Sequence, residues 1–231
     1  LFTVTGRDVT LTLADNAEAK TAKKFKINET GVWTLDETGD RTITGGVITG
    51  GIVYVDLFGY YDLDKDFGSG VLIDHGLAAL TVTDVTINVP VKNQSGILAG
   101  SGTFNGAVIN EDRITGGTFN GPVDNHKGKN QRDNEISGGT FYGAVRNGSN
   151  YYDPGKGELG LDGKSYGLIS GGAFYGKVTN AFSGEITGGA FYGEVENRER
   201  LEYSPFYLGT LAGGTFYGSL TGTTTIADGC C

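Results

Sequence analysis

Three carboxylates, Asp62, Asp64 and Asp66, stand at alternate positions in DLFGYYDLDKDFGSGVLIDHG (residues 56–76). This is the spacing of the first three ligands of an EF-hand-like calcium loop. Phe67 occupies the place where that loop turns on glycine, and Ile73 the place of its bidentate glutamate. The stretch therefore reads as a solvated loop, with a calcium site as the alternative, and no metal ligand is assigned. Asp74-His75 is the only Asp-His adjacency, and a lone histidine is more often structural or merely exposed, so no catalytic residue or cofactor is assigned. Cys230 and Cys231 are the only thiols and close the chain. They exclude a disulfide framework and a cysteine zinc site, and leave an intermolecular disulfide as the one thiol chemistry open to them.

A second kind of chemistry, contact through aromatic side chains, is suggested by a recurring stretch. ISGGTFYGAV (Ile136 to Val145) returns as ITGGTFNGPV (Ile114 to Val123), ISGGAFYGKV (Ile169 to Val178), ITGGAFYGEV (Ile186 to Val195) and LAGGTFYGSL (Leu211 to Leu220). A sixth copy, GTFNGAV, ends at Val108. Alternation from the phenylalanine onward predicts one strand per unit, with Phe and Val inward. Tyr142, Tyr175, Tyr192 and Tyr217 then point outward in successive units, with Asn105 and Asn120 before them. An aligned row of exposed aromatics suits a contact surface, because the tyrosine ring is apolar while its hydroxyl stays wet. These four tyrosines are the candidate binding residues. The competing expectation is that aromatic-bearing loops emerging beside the row fold back and cover it.

Such a row needs a scaffold that places one residue per layer. The Gly-Gly pair permits a bend, and an asparagine two residues past the valine (Asn110, Asn125, Asn147, Asn180, Asn197) suits a corner. The expectation is that these asparagines occupy equivalent corners and bond to backbone. A unit of bend, strand and corner cannot bury its own inner face, and stacking identical units does. The repeated phenylalanines (Phe104, Phe119, Phe141, Phe174, Phe191, Phe216) are separated by 15, 22, 33, 17 and 25 residues. The shortest steps are too short for two helices and fit one turn of a β-solenoid, whereas propeller blades need roughly 40 residues. The longer steps require loops, and NHKGKNQRDNE, RNGSNYYDPGKGELGLDGKSYG and ENRERLEYSPFYLG have loop composition. The fold class is all-β, a single parallel β-solenoid (β-helix). Residues 1–95 are read as irregular N-terminal coils and cap, and residues 96–231 as the regular repeat coils of the same solenoid.

Composition narrows the classes further. Glycine accounts for 41 of 231 residues without a three-residue period, which excludes collagen. Twelve phenylalanines and twelve tyrosines argue against a disordered chain. A formal net charge of −9 disfavours nucleic acid and anionic membrane surfaces as partners. No apolar run has the length of a membrane span, so no membrane insertion is expected. Leu1 in place of methionine points to a processed form or a fragment.

Toward the N-terminus, FTVTG and VTLTL read as two short strands, and Asp15 to Ile27 as a helical turn or a charged loop. Stacking is expected to begin by Ile43, with Trp33 as a core or cap residue. In LTVTDVTINVPV (Leu80 to Val91) a phase shift at Thr83-Asp84 predicts a corner between two faces. Together, LTLADNAEAK, TITGGVITGG, GGIVYV and the iterated ITGGTFNGxV resemble the Gly-rich parallel β-helix repeats of bacterial cell-surface and secreted adhesin-like proteins. The resemblance implies an extracellular or cell-surface location within a longer protein, and it specifies architecture more than function.

Three functions follow as expectations. The first is a non-enzymatic structural or adhesive scaffold that self-associates into a filament or surface layer, or binds glycans, through the tyrosine row. The second is a polysaccharide lyase or hydrolase of the β-helix type, which needs clustered carboxylates or bases on adjacent coils. One outward position of the units offers Ala107, Pro122, Ala144, Lys177, Glu194 and Ser219, a mixture without an acid pair. The third, ice binding, needs threonine rows, and the row begun by Thr118 and Thr140 is interrupted at Ala173 and Ala190.

Overall fold

A computed structural model describes residues 86–94, 96–126, 134–148, 167–181, 183–198 and 209–222 in full, together with the backbone of seven strands between Val9 and Thr83. Among these residues every regular element is a strand. Asp62, Asp64, Asp66, His75, Cys230 and Cys231 lie outside the described residues, as do the first strand expected at FTVTG and the side chain of Trp33.

Each regular coil contributes one short strand to each of three faces, and the coils stack in parallel. The first face runs through Gly96–Gly100, Arg113–Ile114, Glu135–Ile136, Gly167–Ile169, Gly184–Ile186 and Thr210–Leu211. The second runs through Thr86–Ile87, Thr103–Phe104, Thr118–Phe119, Thr140–Phe141, Ala173–Phe174, Ala190–Phe191 and Thr215–Phe216. The third runs through Val91–Asn93, Val108–Asn110, Val123–Asn125, Val145–Asn147, Val178–Asn180, Val195–Asn197 and Leu220–Gly222. The chain is therefore an all-β parallel β-solenoid.

Stacking already includes the N-terminal strands. Arg41–Thr44 pairs in parallel with Ala78–Thr83 on the first face, as expected for a start by Ile43. The ten-residue strand Val47–Asp56 lines the second face with its first residues and the third with its last. Ala78–Thr83 ends where Thr86–Ile87 begins the next face, which is the corner read at Thr83-Asp84. Before these coils the pairing changes sense. Val9–Leu11 runs antiparallel to Phe25–Ile27, Phe25–Ile27 to Val47–Asp56, and Val32–Leu35 to Arg41–Thr44. Phe25 to Ile27, left between helical turn and charged loop by the sequence, is a strand.

The core consists of three columns, one from each face. Leu98, Ile114, Ile136, Ile169, Ile186 and Leu211 form the first, Ile87 and the phenylalanines from Phe104 to Phe191 the second, and Val91 through Val195 the third, all essentially buried, with Phe216 partly buried at the end of the second. Phenylalanine rings from Phe104 to Phe216 stack face to face, with centroids 4.7–4.9 Å apart. That spacing is the ordinary distance between neighbouring strands. Side chains one layer apart therefore meet in register, Phe on Phe from Phe104 to Phe216 and Val on Val from Val91 to Val195.

One detail of the expected unit is corrected. Phe141 and Val145 do not share a strand; Phe141 ends the second face and Val145 begins the third. Gly143 makes the corner between them, where a β-carbon would lie 2.1 Å from the Gly121 carbonyl oxygen. Bulk is excluded there, and the chain turns where a longer strand would have run straight. The preceding corner uses the second glycine of each pair: Gly172 has φ +107°, a conformation that side-chain-bearing residues avoid.

The third corner is closed by asparagine. Asn93, Asn110, Asn125, Asn147, Asn180 and Asn197 are fully buried, and each amide up to Asn180 donates to Oδ1 of the next at 2.7–2.9 Å. Asn147 Nδ2 also donates to the Gly167 carbonyl at 3.0 Å, and Asn197 Nδ2 to the Gly209 carbonyl at 2.9 Å. These are the carbonyls with which the chain re-enters the first face. All three sequence insertions leave and return at this corner, between His126 and Asn134, Gly148 and Gly167, and Arg198 and Gly209.

Candidate functional site

The corner between the second and third faces carries the tyrosine row. Its construction follows from the unit: Phe turns in, the next residue turns out, and the glycine after it bends the chain. Tyr142, Tyr175, Tyr192 and Tyr217 are 55, 47, 45 and 66% exposed, the large apolar side chains most open to solvent among the described residues. Successive rings stack at 5.1, 4.6 and 4.9 Å, with interplanar angles of 19°, 9° and 6°. The row continues in the same register through Asn120, Asn105 and Asn88. There Asn120 donates to Asn105 at 2.8 Å and Asn105 to Asn88 at 2.7 Å. All four residues proposed from sequence are thus brought into one ladder.

Ring stacking decides what the ladder can offer. Tyr175 and Tyr192 each have a neighbouring ring on both faces, so their outward-facing surface consists of ring edges and hydroxyls. A sugar ring that packs on an aromatic platform needs an open face. A partner that presents edges of its own, with the same layer spacing, matches the ladder better.

The insertions do not emerge beside this row, contrary to expectation. Their ends are rooted at the asparagine corner, across the width of the third face from the tyrosines. The reason is the ladder itself, which fixes one strand end at Asn147 or Asn197 and the next strand start at Gly167 or Gly209. The segments between these roots lie outside the described residues.

Flanking columns supply the charge. On the third face Lys177 Nζ lies 3.3 Å from Glu194 and 2.7 Å from Glu196, and Arg198 lies 2.7 Å from Glu196. Hydrogen bonding to Glu196, and then to Glu194, raises the Lys177 pKa above the ordinary lysine value. Arg198, and then Lys177, hold the Glu196 carboxyl below the ordinary glutamate range. Two coils earlier, Arg146 makes a bidentate contact with Asp124, and His126 Nδ1 lies 3.1 Å from the same carboxylate. Burial alone would push the Asp124 carboxyl up, but His126 and Arg146 outweigh it and hold the pKa below the ordinary value. An open groove of about 420 Å³ runs along this part of the third face, lined by Ala107, Pro122, Ala144, Asp124, Arg146 and Arg198.

These cross-coil ion pairs were not found from the sequence, although a signal was there. VDN and VRN place Asp124 and Arg146 at one offset in adjacent units, and GKV and GEV do the same for Lys177 and Glu194. Position within the unit, read across units, is what pairs them. No family model, curated protein or solved structure is significantly similar to this chain.

Proposed function

We propose that this chain is a non-enzymatic structural and adhesive scaffold of the extracellular or cell-surface space, and that its tyrosine ladder is the surface by which it associates. The observation that carries this reading is the ladder: four exposed, mutually stacked tyrosines, one per coil, on a rigid parallel core. A contiguous apolar strip of this kind marks a contact surface. The resemblance of the repeats to adhesin-like surface proteins supports the location. Covered ring faces favour a protein partner over a glycan.

The alternative, a polysaccharide lyase or hydrolase, draws less support from the same surface. Glu194 and Glu196 both contact Lys177, and Glu196 is held as a carboxylate. A glycosidase needs one carboxyl raised so that it can donate a proton.

The test replaces Tyr175 and Tyr192 together by serine and compares sedimentation and melting temperature with the parent chain. Self-association should disappear while the melting temperature stays nearly constant. Unfolding of the double variant would assign the tyrosines to a core and overturn the reading. A panel of acidic and neutral polysaccharides, incubated with the parent chain, distinguishes the remaining readings. New reducing ends or unsaturated products would establish the enzyme, and retention without cleavage would establish a glycan contact.

A further inference from the structure

Two of the three columns that make up the surface around the ladder read the same from either end. On the second-face side the column beside the tyrosines is Thr140, Ala173, Ala190, Thr215. The ladder itself is four identical residues. On the third-face side the aligned column is Ala144, Lys177, Glu194, Ser219, a cation and an anion between two small residues. Reversing the order of the coils leaves the first two columns unchanged and exchanges Lys177 with Glu194.

We propose that two copies of this chain pack side by side with antiparallel solenoid axes, about a two-fold axis passing between the levels of Tyr175 and Tyr192. The proposal rests on the association reading above and gives it a partner and a geometry. A two-fold axis perpendicular to the solenoid keeps each column opposite itself and reverses coil order. Tyr142 then meets Tyr217 of the second copy, and Tyr175 meets Tyr192. Lys177 faces Glu194 twice, once on each side of the axis, as an isologous contact requires. Because both surfaces come from the same chain, their layer spacings are identical, and stacked identical side chains form flat, dry interfaces in this way. The four charges alternate in sign around the axis, so the Lys177–Glu194 pair within each copy is extended into a quartet rather than broken. A parallel pair would place the Lys177 and Glu194 column against alanines and threonines, leaving the charges without partners across the interface.

The test uses two single variants, Lys177→Glu and Glu194→Lys, each of which breaks the pair within its own copy. Alone, each presents like charges to itself across the axis, and its dimer should weaken by roughly tenfold or more relative to the parent chain. Mixed in equal amounts, the two are complementary, and sedimentation should show a heterodimer close to parental affinity. In parallel, isotopically light and heavy copies of the unaltered chain are mixed and joined with a zero-length amine–carboxyl cross-linker. Light–heavy hybrid peptides joining Lys177 to Glu194 are expected, and this arm needs no variant to fold. If the parent chain associates but mixing restores nothing and hybrid cross-links are absent, the antiparallel geometry is wrong while the ladder contact stands. If the parent chain stays monomeric up to its solubility limit, both fall.

Discussion

Asn147 donates a 2.9 Å hydrogen bond to Asn180, although 33 residues separate them. The bond lies in a fully buried corner and spans the longest step between the phenylalanine-bearing coils. Both ends are held by others of the same kind, so removing one amide interrupts the ladder on two sides. Asn180→Ala should destabilise the chain by about 1–3 kcal/mol, because Asn147 Nδ2, Asn197 Oδ1 and the Gly184 carbonyl lose partners away from water. Denaturant titration measures this; an unchanged midpoint would show that the ladder contributes nothing net.

Phenylalanine stacking predicts an asymmetry along the axis. Phe174 has rings on both sides at 4.7 and 4.8 Å and is fully buried. Phe174→Ala should cost on the order of 3–5 kcal/mol by opening a cavity between two neighbours. Phe216 is only half-buried, and its ring stacks on Phe191 at 4.9 Å. Phe216→Ala should cost distinctly less, and equal losses in thermal unfolding would contradict the stacked column.

Gly176 leaves no room for a methyl group. A β-carbon there would lie 2.3 Å from the Gly143 carbonyl oxygen of the coil below. Gly176→Ala must therefore spread two coils, with a cost of roughly 1–3 kcal/mol and a loss of the Tyr142–Tyr175 stack. Ala173→Gly, in the same coil but outside this corner, is the control. A melting temperature lowered no further by the first than by the second would refute the tight corner.

Acid should weaken the third face before the core. The Asp124 carboxyl is held below its ordinary value by His126 and Arg146 against the opposing effect of burial. A lowered folded-state pKa stabilises above the unfolded value, about 3.9, and that contribution is lost as the pH falls through the folded value. Asp124→Asn should melt below the parent chain near neutrality, and the gap should close as the pH falls below about 4. A gap that stays constant over that range would remove the carboxylate as its cause.

Columns were legible in the sequence because solenoid layers repeat the same residue at the same offset. Phe, Val and Asn could each be followed from unit to unit without knowing the path between them, and Tyr142, Tyr175, Tyr192 and Tyr217 followed from the same register. Asn93 was missed although Val91-Lys92-Asn93 has the Val-x-Asn spacing, because no Gly-Gly-Thr-Phe precedes it. Division of Phe-Tyr-Gly-Ala-Val between two faces was hidden by a period of two that continues across the corner. Only the clash at Gly143 shows that the strand must stop there. Bonds from one asparagine to the next depend on the distance between layers, which local sequence does not state.

Where the insertions are rooted has a consequence for how such a chain can change. Asn147 and Asn197 each hold the carbonyl at the far end of the segment that follows them, so the length of that segment does not enter the register of the coils. Lengthening a segment adds chiefly closure entropy, roughly 0.6 kcal/mol for each doubling. The segments after Asn125 and Asn147 leave from adjacent coils, and the one after Asn197 leaves two coils further on. Their roots lie along one edge like the attachment points of a comb's teeth, at heights counted in whole coils. A tooth can be exchanged for another sequence while the spine and the tyrosine edge across the third face keep their positions.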